Sequence, residues 1–132
     1  MANAFTVSID IDAPPEAVWE VLGAPDHVSR WYPQYTSCVT DGDIRTLTRA
    51  DGSVVTERLL ERDEARRFYS YSVIDGVPLK SHRASFEVQG HGSGSRVLWS
   101  TEGEPLEEGA DLETRLAERQ RSALEGLRAL FA

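Results

Sequence analysis

Glu57, Tyr69, Tyr71 and His82 are the residues of the central segment whose types and spacing could carry acid–base chemistry. Glu57 alternates with Val55 and Leu59, so in a strand it shares their face. A carboxyl group among apolar neighbours has its pKa raised by desolvation, which suits it to proton transfer. The competing reading is a salt bridge at a sheet edge. An unpaired buried polar group costs on the order of 1–3 kcal/mol, and a charge costs more, so an inward Glu57 requires a partner or a task. His82 precedes Ala84, Phe86 and Val88 at strand spacing and titrates nearest neutral pH. It could serve as general acid or base on a bound carbonyl compound, or hydrogen-bond at a pocket mouth. Tyr69 and Tyr71 offer phenolic donors to a keto or enolate oxygen; equally, they are buried strand rings. Glu57, Tyr71 and His82 form the candidate catalytic set.

Aromatic residues supply a candidate binding surface. Trp31, Tyr32, Tyr35 and Trp99 could wall a planar ligand, with Tyr69 and Phe86 beside them. The run Trp31-Tyr32-Pro33-Gln34-Tyr35 follows a helix break, a place suited to border an entrance. Arg115 and Arg119 could hold a ligand carboxylate or snorkel over an apolar stripe, and Gln120 falls inside that stripe. The candidate ligand-binding set is Trp31, Tyr32, Tyr35, Tyr69, Phe86, Trp99, Arg119 and Gln120. Cys38 is the single cysteine, which excludes an internal disulfide and a thiolate cluster. His27, His82 and His91 lack metal-ligand spacing, and no Ser-His-Asp order, phosphate loop or dinucleotide fingerprint occurs, so neither metal nor cofactor is expected.

The elements that must position these groups follow from periodicity. Phe5, Val7, Ile9 and Ile11 alternate with Thr6, Ser8, Asp10 and Asp12, predicting a strand with one buried face. Asp12 as cap and Pro14-Pro15 in the first turn open a short helix carrying Val18, Trp19, Val21 and Leu22, which Gly23-Ala24-Pro25 stops. A second short helix, capped by Asp26, is expected to end at Trp31 before Pro33. From Tyr35 to Gly103, turn signals such as Asp41-Gly42-Asp43, Asp51-Gly52-Ser53, Asp75-Gly76-Val77-Pro78 and Gly90-His91-Gly92-Ser93-Gly94 separate six strands in meander order. Val55-Glu57-Leu59, Tyr69-Tyr71-Val73, His82-Ala84-Phe86-Val88 and Val97-Trp99-Thr101 are the expected inner faces. Residues 109–131 hold no proline and carry Leu112, Leu116, Ala123, Leu124, Leu127 and Leu130 at helical spacing, predicting one long amphipathic helix.

A large sheet with one apolar face needs a cover, and the long helix is the available one. The prediction is an α+β domain spanning 1–132: a seven-stranded curved antiparallel sheet around a C-terminal helix, with two short helices after strand one. A curved sheet cannot touch one helix across its full width, so the remaining space is either filled core or ligand cavity. At 132 residues there is room for one core, and a net charge of −8 argues against nucleic acid and anionic membrane surfaces. No apolar run approaches the roughly 20 residues needed to span a bilayer. Without a secretory leader pattern at Met1–Phe5, a cytoplasmic monomer or homodimer is expected.

The opening Ile9-Asp10-Ile11-Asp12-Ala13-Pro14-Pro15-Glu16-Ala17-Val18-Trp19, followed by Trp31-Tyr32-Pro33, resembles that of the START-like, or SRPBCC, superfamily. Val55-Thr56-Glu57-Arg58, the Asp75-Gly76-Val77-Pro78 turn and Val97-Leu98-Trp99 are similar to its polyketide cyclase/dehydrase-like branch. The resemblance covers the whole chain and implies a helix-grip (START/Bet v 1-like) fold with an internal pocket for a small hydrophobic or aromatic, polyketide-like molecule. It implies either cofactor-free cyclisation and dehydration or plain carriage or sensing; a partner-binding protein with a filled core is the remaining alternative. The Gly76-Val77-Pro78 turn also resembles the gate loop of the plant abscisic-acid receptors, with Asp75 and Val77 standing where that gate has serine and leucine.

Overall fold

Alternating burial in the first strand, β1 (Asn3–Ile11), begins the sheet: Val7, Ile9 and Ile11 are buried while Thr6, Ser8 and Asp10 face solvent. The computed structural model describes residues 3–106 and 111–132. After β1 come α1 (Pro15–Leu22), a 3₁₀ turn (Pro25–His27) and α2 (Val28–Trp31). Six strands follow: β2 (Tyr35–Asp41), β3 (Ile44–Arg49), β4 (Val54–Asp63), β5 (Phe68–Asp75), β6 (Leu79–His91) and β7 (Gly94–Pro105). The long helix α3 (Leu112–Ala129) closes the chain. All strands pair antiparallel in the order β1-β7-β6-β5-β4-β3-β2, so the short helices carry the chain from one sheet edge to the other.

The four expected inner faces are observed. Val55, Glu57, Tyr69, Tyr71, Ala84, Phe86, Val88, Val97, Trp99 and Thr101 are buried. Bulges interrupt the β4–β5 ladder between Thr56 and Glu57 and between Leu59 and Arg62, but neither turns the Val55-Glu57-Leu59 face outward. Phe68, on the outer side, is covered by the Arg66 guanidinium 4.3 Å above its ring.

Three local expectations are corrected. Asp12 is exposed and does not cap α1; Pro14 occupies that position, with no side-chain cap. Asp26 lies inside the 3₁₀ turn, and His27 precedes α2. Both helices are instead held by packing, through Val18, Leu22, Val28 and Trp31. Leu130 lies past the end of α3 and is 43% exposed, so the stripe ends at Leu127. The expected helix began at Gly109; residues 109 and 110, like the side chain of Leu112, lie outside the described residues. Asp111 caps α3, accepting from the Thr114 N–H at 3.1 Å.

α3 rests on the sheet through Ala117, Gln120, Ala123, Leu124 and Leu127. Gly126 permits its close approach to α2, since a Cβ there would lie 2.3 Å from the Trp31 carbonyl oxygen. Among the described residues no helix is long and apolar enough to cross a membrane.

In an unconstrained helix interior, Gly→Ala stabilises by roughly 1 kcal/mol. Here Gly126→Ala is expected to destabilise by about 1–3 kcal/mol, because the methyl meets backbone. Urea denaturation of the two proteins checks the sign.

Candidate functional site

β3 and β4 pair so that Arg45 stands opposite Glu57. Both point into the concavity and are nearly inaccessible, at 2% and 6% exposure. Arg45 Nε and Nη2 reach Glu57 Oε1 at 2.8 and 2.6 Å. Its Nη1 donates to the Pro25 carbonyl at 3.2 Å and to the Tyr69 hydroxyl at 3.1 Å. The guanidinium also lies 4.9 Å from the Tyr71 ring centroid. Desolvation alone would lower the Arg45 pKa, but Tyr69 and Glu57 raise it above its ordinary value, so the guanidinium stays charged. Burial pushes the Glu57 carboxyl upward, and Arg45 opposes that push. Both contacts fall on Oε1, leaving Oε2 with no hydrogen-bond partner among the described residues.

Above this pair lies a cavity of about 220 Å³. Trp31, Tyr32, Tyr35, Leu47, Val55, Tyr71, Phe86 and Trp99 supply its aromatic and aliphatic wall. The rings interlock edge to face: Trp31 meets Trp99 at 5.9 Å and 80°, and Tyr32 meets Tyr35 at 4.9 Å and 62°. Arg49, Val77, Pro78, Leu79, Arg115 and Arg119 ring the more exposed end. Gly76 fixes the rim loop there: it adopts φ 97°, and a Cβ would fall 2.2 Å from the Val54 carbonyl oxygen. Arg49, Arg115 and Arg119 form no ion pair of salt-bridge length among the described residues.

The structure thus brings Glu57, Tyr71 and His82 to one cavity, together with Trp31, Tyr32, Tyr35, Phe86, Trp99, Arg119 and Gln120. Tyr69 departs from expectation: it lies off the cavity wall, its hydroxyl bound by Arg45. Sequence reasoning missed Arg45 and Arg49. Arg45 shares parity with Leu47 and lies as far before Asp51 as Glu57 lies after it, so the hairpin register carried the signal.

Each titratable group has a defined hydrogen-bonding direction. Burial raises the pKa of Tyr71 well above its ordinary value, so it keeps its proton; its oxygen accepts from Trp99 Nε1 at 3.0 Å. His82 Nδ1 accepts from the Val73 N–H at 3.1 Å, which places the neutral ring's proton on Nε2. Burial lowers its pKa to about 4. At neutral pH His82 is therefore a donor into the cavity. Of the roles expected for it, this geometry favours the donor, because the lone pair of neutral imidazole is engaged by Val73. Cys38, also raised by desolvation, stays a thiol and donates to the Pro25 carbonyl at 3.3 Å. Among the described residues no group of His, Cys, Asp and Glu is arranged to hold a metal ion.

Removing either partner of the buried pair strands a charge. Arg45→Met and Glu57→Leu are each expected to cost about 3–5 kcal/mol, and the double variant far less than their sum. A double-mutant cycle in urea measures this. For His82, the unfolded ring binds its proton near pH 6.5 and the folded one only near pH 4. Stability present above pH 6.5 is therefore lost as pH falls between these values, by up to about 3 kcal/mol. His82→Gln, which keeps an acceptor for Val73, is expected to remove that part of the stability–pH curve.

The family model for polyketide cyclase/dehydrase and lipid transport matches residues 3–132. An uncharacterised protein of Bacillus thuringiensis superposes with TM-score 0.90 at 26% identity, covering 98% of each chain. The protein XoxI of Bacillus cereus does so with TM-score 0.89 at 28% identity, covering 97% of this chain and 94% of that one. The major latex-like protein 151 of Panax ginseng shares the fold, with TM-score 0.83 at 21% identity and coverage of 98% and 97%. The architecture is the helix-grip, Bet v 1-like fold. No curated protein matches the sequence.

Proposed function

The chain belongs to the polyketide cyclase/dehydrase and lipid-transport family, and from that membership we propose that its cavity binds a compact aromatic or hydrophobic acid. The observation that carries this reading is the aromatic cavity of about 220 Å³, open towards three arginines without salt-bridge partners among the described residues. A dry cavity of about 150 Å³ holds benzene. This one therefore suits one substituted ring, or a short chain, within its wall. In a chain of net charge −8, three arginines around one opening favour a carboxylate at the rim. Binding at this site needs no metal or cofactor, and we place the protein in the cytoplasm as a carrier, a sensor or an enzyme.

The enzymatic reading of the same cavity is cofactor-free cyclisation and dehydration. What favours it is Glu57 Oε2, an unengaged carboxylate oxygen on a group whose pKa burial raises. Such an oxygen can take a proton from carbon beside a ketone while the Tyr71 and His82 donors hold the resulting enolate oxygen. In this reading Glu57→Gln abolishes turnover but retains ligand.

The test is a titration of tryptophan fluorescence with 3-phenylpropanoate and its uncharged amide. The carboxylate is expected to bind several-fold more tightly, and the advantage to shrink in Arg119→Gln and in high salt. Failure of both compounds and of a wider panel of aromatic acids and fatty acids to bind at millimolar concentration removes the reading.

A further inference from the structure

Two buried polar atoms in the cavity wall have no protein partner among the described residues: the indole N–H of Trp31 and the amide oxygen Oε1 of Gln120. Their residues are 2% and 3% exposed, so a partner for either atom has to enter the cavity. Buried polar groups are paired as a rule, and an orphan costs stability. Other polar wall groups are paired. Trp99 Nε1 donates to Tyr71, Val73 N–H to His82, and Arg45 to Glu57.

Both orphans belong to residues of the cavity wall. Gln120 is held by Nε2 donating to Thr101 Oγ1 at 2.8 Å, and Thr101 sits two residues beyond Trp99 on the same face of β7. Trp31 meets Trp99 edge-on, with ring centroids 5.9 Å apart. The wall around Trp99 thus includes a donor that needs an acceptor and an acceptor that needs a donor. A hydroxyl group is the smallest chemical group that supplies both. Carbonyl and ether oxygens satisfy only the indole, and a methyl satisfies neither.

We propose that the ligand class is hydroxylated: a phenol or alcohol whose hydroxyl seats between Trp31 Nε1 and Gln120 Oε1, with the apolar body against the remaining rings. The inference rests on the cavity being a ligand site and adds what the ligand must carry.

The test uses 4-ethylphenol, 4-methylanisole and 4-ethyltoluene, which are closely matched in size and lack a carboxylate. Transfer from water favours the methyl compound, so a preference for the phenol has to come from hydrogen bonds in the cavity. The phenol is expected to bind at least about fivefold more tightly than either of the others. It should also shift the Trp31 indole N–H resonance downfield, which 4-ethyltoluene should not do. Trp31→Phe and Gln120→Met, each checked for folding by its urea midpoint, should bring the phenol-to-toluene ratio towards one while 4-ethyltoluene still binds. Equal binding of the three probes to the wild-type protein overturns the hydroxyl inference and leaves the cavity reading standing, as does a ratio that survives in both variants. If none of the three binds, and the aromatic and fatty acids fail as well, both readings fall together.

Discussion

The ion pair between Arg45 and Glu57 is the constraint around which the interior is arranged. A charged pair out of water is tolerated only when geometry and added hydrogen bonds offset the desolvation of both ions. Arg45 meets that demand with donors to Glu57, Pro25 and Tyr69. Those bonds join β3, β4 and β5 to the turn that precedes α2. Because α2 ends at Trp31, the pair that looks like a local feature of one hairpin also sets where an aromatic wall stands. Replacing it with apolar side chains of similar volume would leave the sheet intact and remove the polar end of the cavity.

A second consequence concerns which way hydrogen bonds point. Burial keeps Tyr71 and His82 neutral, disfavouring the tyrosinate and the imidazolium alike, and each neutral group presents one hydrogen-bond donor. Trp31 adds a third donor. Against these stand two side-chain acceptors without a partner among the described residues, Glu57 Oε2 and Gln120 Oε1. An interior so composed suits an oxygen-bearing guest and offers little to an amine beyond those two oxygens.

Much of this was legible in the sequence. Alternation placed Glu57, Tyr71, Phe86 and Trp99 on one inner surface, because a sheet buried on one side forces period-two patterning that bulges here do not reverse. Gln120 announced itself as a polar residue in an apolar stripe. What stayed hidden depended on pairings between distant segments. Arg45 as the partner of Glu57 follows from hairpin register, and Tyr69 as a second ligand of that arginine follows from the next strand pair. The local caps expected at Asp12 and Asp26 lost to packing, which fixes two short helices more firmly than a single side-chain bond. That Trp31 and Gln120 lack partners is a property of the assembled cavity and has no signature in either residue's neighbours along the chain.

The contact between Gly126 and the Trp31 carbonyl makes α3 a lever. Gly126 is the fulcrum, and Arg115 lies eleven residues towards the helix's start, about 16 Å away at the rise of an α-helix. A rigid tilt of about 5° at that point, small enough to leave the packing of Leu124 and Leu127 nearly undisturbed, displaces Arg115 by about 1.4 Å. The aperture therefore responds to small movements of α3, while the depth of the cavity is set by the strands and by the ion pair. Guests of one length and several widths are what such a container accommodates.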